Sequence, residues 1–346
     1  MPQKEYRPRI FKSETVPPLM VDAFSRQLRE LFLIDNTRFI GEPKDEVYAA
    51  PEFATYAEKQ KNNFVYVYYP WLNQTVKTVP ADDYFRLKTN RNQDLIAAAE
   101  QRQLYDYRVA VLGMSVGSNI AFVLTQAGIS RHIVIADFDE LDTTNLNRIL
   151  AGVHQVGLNK TIVAARRIYE DNPFAEVTIW PEGVTSELLE DGLKSGRIHC
   201  LVEEIDDIPL KIMVRELAMK YRVPVLMITD NGDGVVLHVE RYDLGYDKIF
   251  DQDLSYWRAM ETEFKKGVPK ELAGKIIINN IVGGPDKVDP KMLASVKRVL
   301  AKELVSWSQL GSAALLGGVM VTVAIKRIVL GEDKRLSLRA HIYPTF

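Results

Sequence analysis

Residues 108–118 read Arg-Val-Ala-Val-Leu-Gly-Met-Ser-Val-Gly-Ser, and this stretch decides the fold. Its first five residues form a short apolar run that is typical of a buried strand. Gly113 then allows a tight turn, and Gly117 lets a phosphate approach the start of a helix predicted over Asn119–Ala127. Because the first N–H groups of a helix are free and carry partial positive charge, the stretch favours a nucleotide-binding site.

Strands and helices alternate along the chain after this turn. Strands are predicted at 132–136, 177–180, 201–202 and 223–229, with helices at 160–170 and 209–221. Since parallel strands need crossover helices, the alternation predicts an α/β fold with a doubly wound, mostly parallel Rossmann-like sheet. Residues 235–239 are predicted to return antiparallel, with His238 facing solvent because it alternates with apolar neighbours.

The chain is predicted to have two parts. Residues 1–85 form an α+β accessory region, with a helix over Leu19–Ile34 and a strand over Phe64–Tyr69. Residues 86–346 form the main domain, interrupted at about 244–305 by a helix-rich insertion. The apolar stretch 310–325 is predicted to be a buried helix of about 16 residues, which is shorter than the ~20 residues that cross a bilayer.

Composition excludes some classes of protein. The chain has 44 Lys and Arg against 46 Asp and Glu, so its net charge of -2 does not favour nucleic-acid binding. Cys200 is the single cysteine, which excludes an internal disulfide framework and a Cys-rich zinc site, and we interpret it as a small core residue. Residues 1–10 lack the apolar core of a secretory signal, so a cytoplasmic protein without a membrane partner is expected.

Two interpretations of the turn stay open on these residues alone. Asp137 lies 24 residues after Gly113, at the end of the next predicted strand, where a carboxylate can accept hydrogen bonds from ribose hydroxyls. This favours a nucleotide-binding protein, whether an oxidoreductase, a non-catalytic sensor or another enzyme. The second interpretation is an α/β-hydrolase, because residues 113–117 also match the G-x-S-x-G pattern that would make Ser115 a nucleophile.

The hydrolase needs an acid and a histidine after Ser115, and Asp206 or Asp230 with His238 has the right order. A hydrolase elbow normally follows several sheet strands and an oxyanion loop. Residues 1–107 show neither clearly, so this interpretation is the weaker one.

The next stretch carries a family resemblance. Asp137-Phe-Asp-Glu-Leu-Asp-Thr-Thr-Asn-Leu-Asn-Arg148, followed by Val156-Gly-Leu-Asn-Lys160, resembles the D-x-D…N-x-x-R…G-x-x-K pattern of the ThiF/MoeB/HesA family of ubiquitin-activating-enzyme-like adenylyltransferases. Asn145, Arg148 and Lys160 would place a neutral donor and two cations around a triphosphate. An enzyme that expels pyrophosphate needs these cations, whereas a dehydrogenase does not.

The resemblance extends to both sides of this stretch. Residues 203–207, Glu-Glu-Ile-Asp-Asp, lie where the family has D-x-x-D-N, which implies that Asp206 holds a magnesium ion bridging the phosphates. Residues 89–93 resemble the R-Y-x-R-Q segment of the family, which implies that Arg91 reaches the phosphates of the other subunit in a homodimer. Residues 309–331 resemble the closing apolar helix of the family, so the likeness covers about 86–240 and 306–332.

Taken together, the resemblance implies that 86–346 is an ATP-binding adenylation domain that needs Mg²⁺ and converts a carboxylate into an acyl adenylate with release of pyrophosphate. The residues implied to bind nucleotide are Gly113, Ser115, Gly117, Asp137, Asp139, Asn145, Arg148 and Lys160, and the residues implied to be catalytic are Arg91, Arg148, Lys160 and Asp206. Relatives activate the C-terminus of a ubiquitin-like carrier or a small peptide, or a carbonyl group on tRNA.

This chain departs from the family pattern in three places. Its turn is one residue shorter than G-x-G-G-x-G, a departure that favours a further alternative, a partner-recruiting module whose nucleotide site has decayed. It has no C-x-x-C pair for a structural zinc ion, and no cysteine follows residue 200. The chemistry is therefore predicted to need no cysteine.

Overall fold

The computed structural model describes residues 5–12, 20–260, 263–264 and 267–345. The chain forms two compact units, the first made of Met1–Arg102 with Tyr169–Phe174 and the second of Gln103–Ile168 with Ala175–Phe346. The predicted boundary between residues 85 and 86 falls inside a helix, Ala81–Thr89, of the first unit. As a division between an accessory and an adenylation domain, that boundary stays a prediction.

The first unit has the α+β composition expected of it. Its sheet has the order β1-β3-β4-β2, with β3 antiparallel to β1 and β4, and β2 parallel to β4. The elements are β1 Arg9–Phe11, β2 Met20–Asp22, α1 Phe24–Asp35, α2 Lys44–Ala49, α3 Pro51–Gln60, β3 Val65–Tyr69, β4 Gln74–Thr78 and α4 Ala81–Thr89.

The helix predicted over Leu19–Ile34 begins later than expected. Met20–Asp22 is a strand, and the Asp22 carboxylate accepts the Ser25 N–H at 3.1 Å beside the start of α1. Leu19 lies outside the described residues. Apolar periodicity located the buried face of the helix, including Phe24 and Leu28, but did not locate its first residue.

The second unit contains the predicted doubly wound sheet. Its strand order is β11-β10-β9-β8-β5-β6-β7. The strands are β5 Arg108–Leu112, β6 His132–Ala136, β7 Glu176–Trp180, β8 Cys200–Glu203, β9 Val225–Asn231, β10 Gly234–Glu240 and β11 Ser337–Ile342. The five neighbouring strands β9, β8, β5, β6 and β7 are parallel to one another. Strand β10 is antiparallel to both of its neighbours, β9 and β11, so the predicted antiparallel return at 235–239 is confirmed.

The helices of the second unit cover both faces of the sheet. After α5 Ala98–Asp106, they are α6 Val116–Gln126, α7 Lys160–Asp171, α8 Ser186–Lys194, α9 Ile208–Tyr221, α10 Leu254–Ala259, α11 Lys270–Ile276, α12 Pro290–Leu300 and α13 Gly311–Val329. A short π-helical segment, Ile277–Val282, continues α11. Leu112 pairs with Ala136 on one side and Glu203 on the other, so the carboxyl ends of β5, β6 and β8 meet at one edge.

Helix α13 packs on this sheet through small residues. It has 19 residues rather than about 16, and by length and composition alone it could cross a membrane. A Cβ atom added at Gly317 would lie 2.8 Å from the Ile228 side chain, and one at Gly318 would lie 3.2 Å from the Asn119 backbone. Because these glycines let the helix approach β9 and α6 closely, the predicted buried core helix fits better than a membrane span.

His238 lies in the interior, so the prediction that it faces solvent is wrong. Only 3% of its surface is exposed, and its Nε2 atom is 2.7 Å from the Ile281 carbonyl oxygen. The alternation along β10 indicated one solvated face, but the insertion covers that face with an apolar cluster. The cluster includes Met227, Ile249, Phe250, Trp257, Ile276 and Ile281.

Candidate active site

The glycine turn after β5 has the tight geometry that its sequence predicts. Gly113 has a φ of 96°, and a Cβ atom there would collide with the carbonyl oxygen of Glu204. At Gly117, on the first turn of α6, a Cβ atom would lie 2.9 Å from the Val111 side chain. Both positions therefore need glycine, and the turn brings the start of α6 to the carboxyl edge of the sheet.

Asp137 joins this turn to the loop after β6. Its two carboxylate oxygens accept the Met114 N–H at 2.6 Å and the Asp139 N–H at 2.8 Å. Burial raises the pKa of Asp137, and the two N–H groups oppose that effect. The carboxylate is thereby fixed beside the start of α6, where the sequence predicts a ribose ligand.

Lys160 begins α7 and faces the same loop. Only 8% of it is exposed, and its Nζ atom lies 2.7 Å from the Asp139 carboxylate. Asn159, which sequence reasoning missed, holds the two segments together by donating to the carbonyls of Asp137 at 3.1 Å and Pro181 at 3.2 Å. Its place directly before Lys160 was the one available signal.

Arg148 reaches the glycine turn from the other side. Its Nε group donates to the Ser115 hydroxyl at 3.1 Å, and its own carbonyl accepts from the Asn119 amide at 2.8 Å. The side-chain oxygen of Asn145 accepts a hydrogen bond from the Asp142 N–H at 3.0 Å, so Asn145 shapes the turn that carries Arg148. The structure thus gathers all eight predicted nucleotide-binding residues around one edge of the sheet, although their roles stay predictions.

The hydrolase interpretation finds no support in this geometry. Ser115 is bonded to the guanidinium of Arg148, whereas His238 is bonded to Ile281 inside the insertion cluster. Burial lowers the pKa of His238 to about 3, which makes it a poor base at neutral pH. A serine that is activated by an imidazole is therefore absent from the site that the structure describes.

Three of the four acids at the end of β8 and directly after it have separate partners. Glu203 is buried against Lys211 Nζ, 3.0 Å away, and Arg215, 2.6 Å away. Glu204 accepts the Ile228 N–H at 2.8 Å, and Asp207 caps α9 through the Leu210 N–H at 2.8 Å. Asp206, the predicted magnesium ligand, is exposed and forms no hydrogen bond or ion pair with any residue that the structure describes.

Asp230 is the last residue but one of β9 at the same edge, and the sequence suggests it only as a hydrolase acid. It is 6% exposed, and neither of its carboxylate oxygens has a hydrogen-bond donor. Burial raises its pKa to about 6, and the charge of Arg148 opposes that rise. Burial also lowers the pKa of Arg148, whereas the negative charges of Asp230 and Asp206 raise it. The two acids are therefore within electrostatic reach of one guanidinium.

Helix α13 supports the Arg148 loop from behind. The Asn147 amide donates to the Gln309 carbonyl at 2.9 Å. A Cβ atom at Gly311 would collide with the Asn147 carbonyl oxygen, so this helix start also needs glycine. The predicted closing helix thus fixes the backbone that presents Arg148.

Arg91 belongs to the first unit. It lies in the short turn Asn90–Asn92 after α4 and is exposed. Its predicted role at the phosphates of a partner subunit stays a prediction.

Comparison with known proteins agrees with the sequence resemblance. The sequence model of the ThiF family matches residues 87–343. An uncharacterised protein of Mycobacterium tuberculosis (strain CDC 1551 / Oshkosh), MT1398, is 33% identical over 273 residues, which cover 77% of this chain and 36% of that protein. Ubiquitin-like modifier-activating enzyme 5 of Caenorhabditis briggsae is 26% identical over 150 residues, covering 40% of this chain and 34% of the enzyme. The chain thus spans about a third of the length of these curated relatives.

A solved structure shares the fold. The tRNA N6-threonylcarbamoyladenosine dehydratase TcdA of E. coli, in complex with AMP, aligns with a TM-score of 0.52 at 19% identity. The alignment covers 74% of this chain and 98% of TcdA.

Proposed function

The chain belongs to the ThiF family, and we propose that it uses Mg-ATP to adenylate a carboxylate. One observation carries this proposal: two cations, Arg148 and Lys160, stand beside the fixed carboxylate Asp137 at the carboxyl edge of the sheet. Ligands of doubly wound sheets bind at that edge. Two cations are more than the diphosphate of a dinucleotide needs, but they suit a triphosphate that loses pyrophosphate.

The proposed reaction is an in-line displacement at the α-phosphate. A carboxylate oxygen of the substrate forms a bond to the α-phosphorus, and the bond from that phosphorus to the bridging oxygen of the β-phosphate breaks. The electron pair leaves with pyrophosphate, and the products are acyl adenylate and pyrophosphate. The groups proposed to stabilise the departing charge are Arg148, Lys160 and Arg91 from a second subunit.

The residues of the site suit a magnesium ion. Asp206 offers an exposed carboxylate with no described partner at the same edge, and Mg²⁺ prefers such hard oxygen ligands. When bound, Mg²⁺ neutralises phosphate charge. No group of three or more Asp, Glu, His or Cys among the described residues could hold a metal ion by itself, so phosphate oxygens would supply further ligands.

The substrate is proposed to be the C-terminal carboxylate of a small protein or a peptide. The name of the Caenorhabditis relative points to a ubiquitin-like modifier. The net charge of -2 does not favour a tRNA substrate. A cytoplasmic location and a homodimer are part of the same proposal.

Calorimetric titration tests the nucleotide preference. Mg-ATP should bind more tightly than NAD, and Lys160→Ala should weaken Mg-ATP binding by more than tenfold. Lys194→Ala, an exposed lysine at the end of α8, is the matched control and should leave the affinity unchanged. Tighter binding of NAD, or an unchanged affinity in Lys160→Ala, would refute the proposal.

Pyrophosphate release tests the chemistry. We expect release on adding ATP with a peptide or small protein that has a free C-terminus, and hydroxylamine should trap the acyl adenylate as a hydroxamate. Binding of Mg-ATP without release across a broad panel of such substrates would favour the alternative, a non-catalytic nucleotide sensor.

Mixing two variants tests the homodimer. Arg91→Ala and Asp206→Ala should each lose activity, by on the order of a hundredfold if Arg91 stabilises the departing charge. If Arg91 serves the other subunit, the mixture should regain part of the activity, because some heterodimers carry one intact composite site. Loss without recovery would place Arg91 in the site of its own subunit.

A further inference from the structure

Buried oxygen atoms without a hydrogen-bond donor are concentrated around Arg148. In the described part of the second unit, only three side-chain oxygens are in this condition: Oδ1 of Asn119 and both carboxylate oxygens of Asp230. Asn119 is tied to Arg148 by a 2.8 Å hydrogen bond, and Asp230 is coupled to Arg148 by charge. Because a buried acceptor without a donor costs free energy, such a cluster indicates a missing ligand.

Asp230 is the exception among the buried acids. Glu203 accepts hydrogen bonds from Lys211 and Arg215. Glu240 accepts hydrogen bonds from Arg215 and from the Phe250 N–H. Asp230 has no comparable donor within the described residues. Arg148 acts on Asp230 through its charge, but its Nε and one terminal N–H group donate elsewhere, to Ser115 and Asn147.

The chemistry of the missing ligand follows from the charges. A phosphate would be repelled by a carboxylate, so the ligand of Asp230 must be a cation or a donor. In the proposed function Arg148 binds the phosphates, so it no longer neutralises Asp230, for which it is the one cationic partner among the described residues. A magnesium ion arrives with ATP, and it takes one or two carboxylates with phosphate oxygens and water.

We infer that Asp230 is a second protein carboxylate, with Asp206, for the magnesium ion of bound Mg-ATP. This inference rests on the proposed function, because the ion would arrive with the nucleotide. Among the acids of the segment after β8, only Asp206 has no partner within the described residues, since Glu204 accepts the Ile228 N–H and Asp207 caps α9. The second carboxylate therefore comes from the neighbouring parallel strand β9, which ends at the same edge.

Calorimetric titration of the full chain with ATP, in EDTA and in excess Mg²⁺, tests the inference. The measured quantity is the factor by which Mg²⁺ increases the affinity for ATP. We expect Asp230→Asn and Asp206→Asn each to reduce this factor at least tenfold. In EDTA, Asp230→Asn should bind ATP as well as the natural chain or more tightly, because a negative charge near the phosphates is gone.

The matched control is Asp233→Asn, which removes an exposed carboxylate from the turn directly after β9. It should keep the full Mg²⁺ factor. Asp230→Ala removes the last oxygen at this position, so it should reduce the factor at least as much as asparagine does. Thermal unfolding in each buffer shows that the compared proteins are folded.

The outcomes separate the inference from the proposed function. If the natural chain binds ATP in neither buffer, the proposed function fails. If it binds Mg-ATP and Asp230→Asn keeps the full Mg²⁺ factor, this inference alone is refuted. The same holds if Asp230→Asn tightens binding equally in both buffers, because Asp230 would then only oppose the charge of Arg148. A Mn²⁺ electron paramagnetic resonance titration with ATP gives a second readout, in which Asp230→Asn should leave more free Mn²⁺.

Discussion

The second unit contains two groups of polar side chains beside the same sheet, one buried and one that reaches the surface, and they differ in whether their hydrogen bonds are complete. The paired cluster consists of Glu203, Lys211, Arg215 and Glu240. The open cluster consists of Asn119, Arg148, Asp206 and Asp230. In the paired cluster, Arg215 donates to Glu203 and Glu240 at 2.6 Å each and lies 3.9 Å above the Phe250 ring. In the open cluster, Asp230 has no donor and Asp206 no partner among the described residues.

We interpret the paired cluster as structural and propose a functional role for the open cluster. Burial alone would raise the pKa of Glu203, but Lys211 and Arg215 hold it below its ordinary value. The same burial raises the pKa of Asp230, because only one charge opposes it. A network with all its hydrogen bonds made favours one arrangement of the fold. In an incomplete network, the unsatisfied acceptors can gain their missing interactions from a bound ligand.

The largest effect is expected from breaking the paired cluster. Arg215→Met should reduce the free energy of unfolding by about 3–5 kcal/mol, because it leaves Glu203 and Glu240 buried with too few cations. Urea unfolding measures this loss. Lys220→Met, on the same helix, removes an exposed ion pair with Glu190 and should lower the free energy of unfolding far less than Arg215→Met does. Equal losses in the two variants would contradict the assignment of a structural role.

The next effect is the pH dependence of stability that Asp230 creates. Its pKa rises from 3.8 to about 6 on folding, so the folded state binds the proton more tightly than the unfolded state does. The stabilisation is full below pH 4 and is lost as pH rises through 6. The difference in unfolding free energy between Asp230→Asn and the natural chain should therefore shift by roughly 2.5 kcal/mol in favour of the variant between pH 4 and 7.5. A difference that stays constant with pH would contradict it.

Removing the cation of the open cluster should affect binding rather than stability. Arg148→Met should weaken Mg-ATP binding by about 2 kcal/mol, roughly thirtyfold, because a charged donor to phosphate is lost. Its unfolding free energy should change by less than that of Arg215→Met, since Arg148 is only half-buried. Calorimetry and urea unfolding of the two variants give a direct cross-comparison. A larger stability loss in Arg148→Met would reverse the roles of the two clusters.

The features of the fold that were predicted correctly are those that depend on short local sequence patterns. The turn at Gly113 and the alternating strands and helices are short-range signals, so β5 to β10 lie close to their predicted positions. The spacing of Asp137, Arg148 and Lys160 placed these residues in one family pattern. Their convergence then follows from the parallel strand order, which brings successive loops to one edge.

Contacts between distant segments of the chain could not be predicted from local sequence patterns. His238 looked solvated because nothing in 235–239 reveals that Ile281, 43 residues later, covers it. Nothing in the local sequence distinguishes Asp230 and Asn119, because the donors that their buried oxygens lack are evident only in three dimensions. Helix α8 is absent from the predicted elements, and the helix predicted over Leu19–Ile34 wrongly includes the strand Met20–Asp22.

The smallest expected effect concerns Ser115, and it separates the two original interpretations of the glycine turn. Ser115 orients Arg148 through one hydrogen bond of 3.1 Å, so Ser115→Ala should weaken Mg-ATP binding by about 1 kcal/mol, roughly fivefold. Ser186→Ala, an exposed serine at the start of α8, is the control and should leave binding unchanged. A hydrolytic serine would instead react stoichiometrically with a fluorophosphonate probe, and its loss would abolish that labelling. Because the guanidinium of Arg148 occupies the place where an activating imidazole would have to bond, we expect no labelling of Ser115 in the natural chain. Stoichiometric labelling would contradict this expectation and would indicate that the turn, with the open cluster beside it, belongs to a hydrolase site.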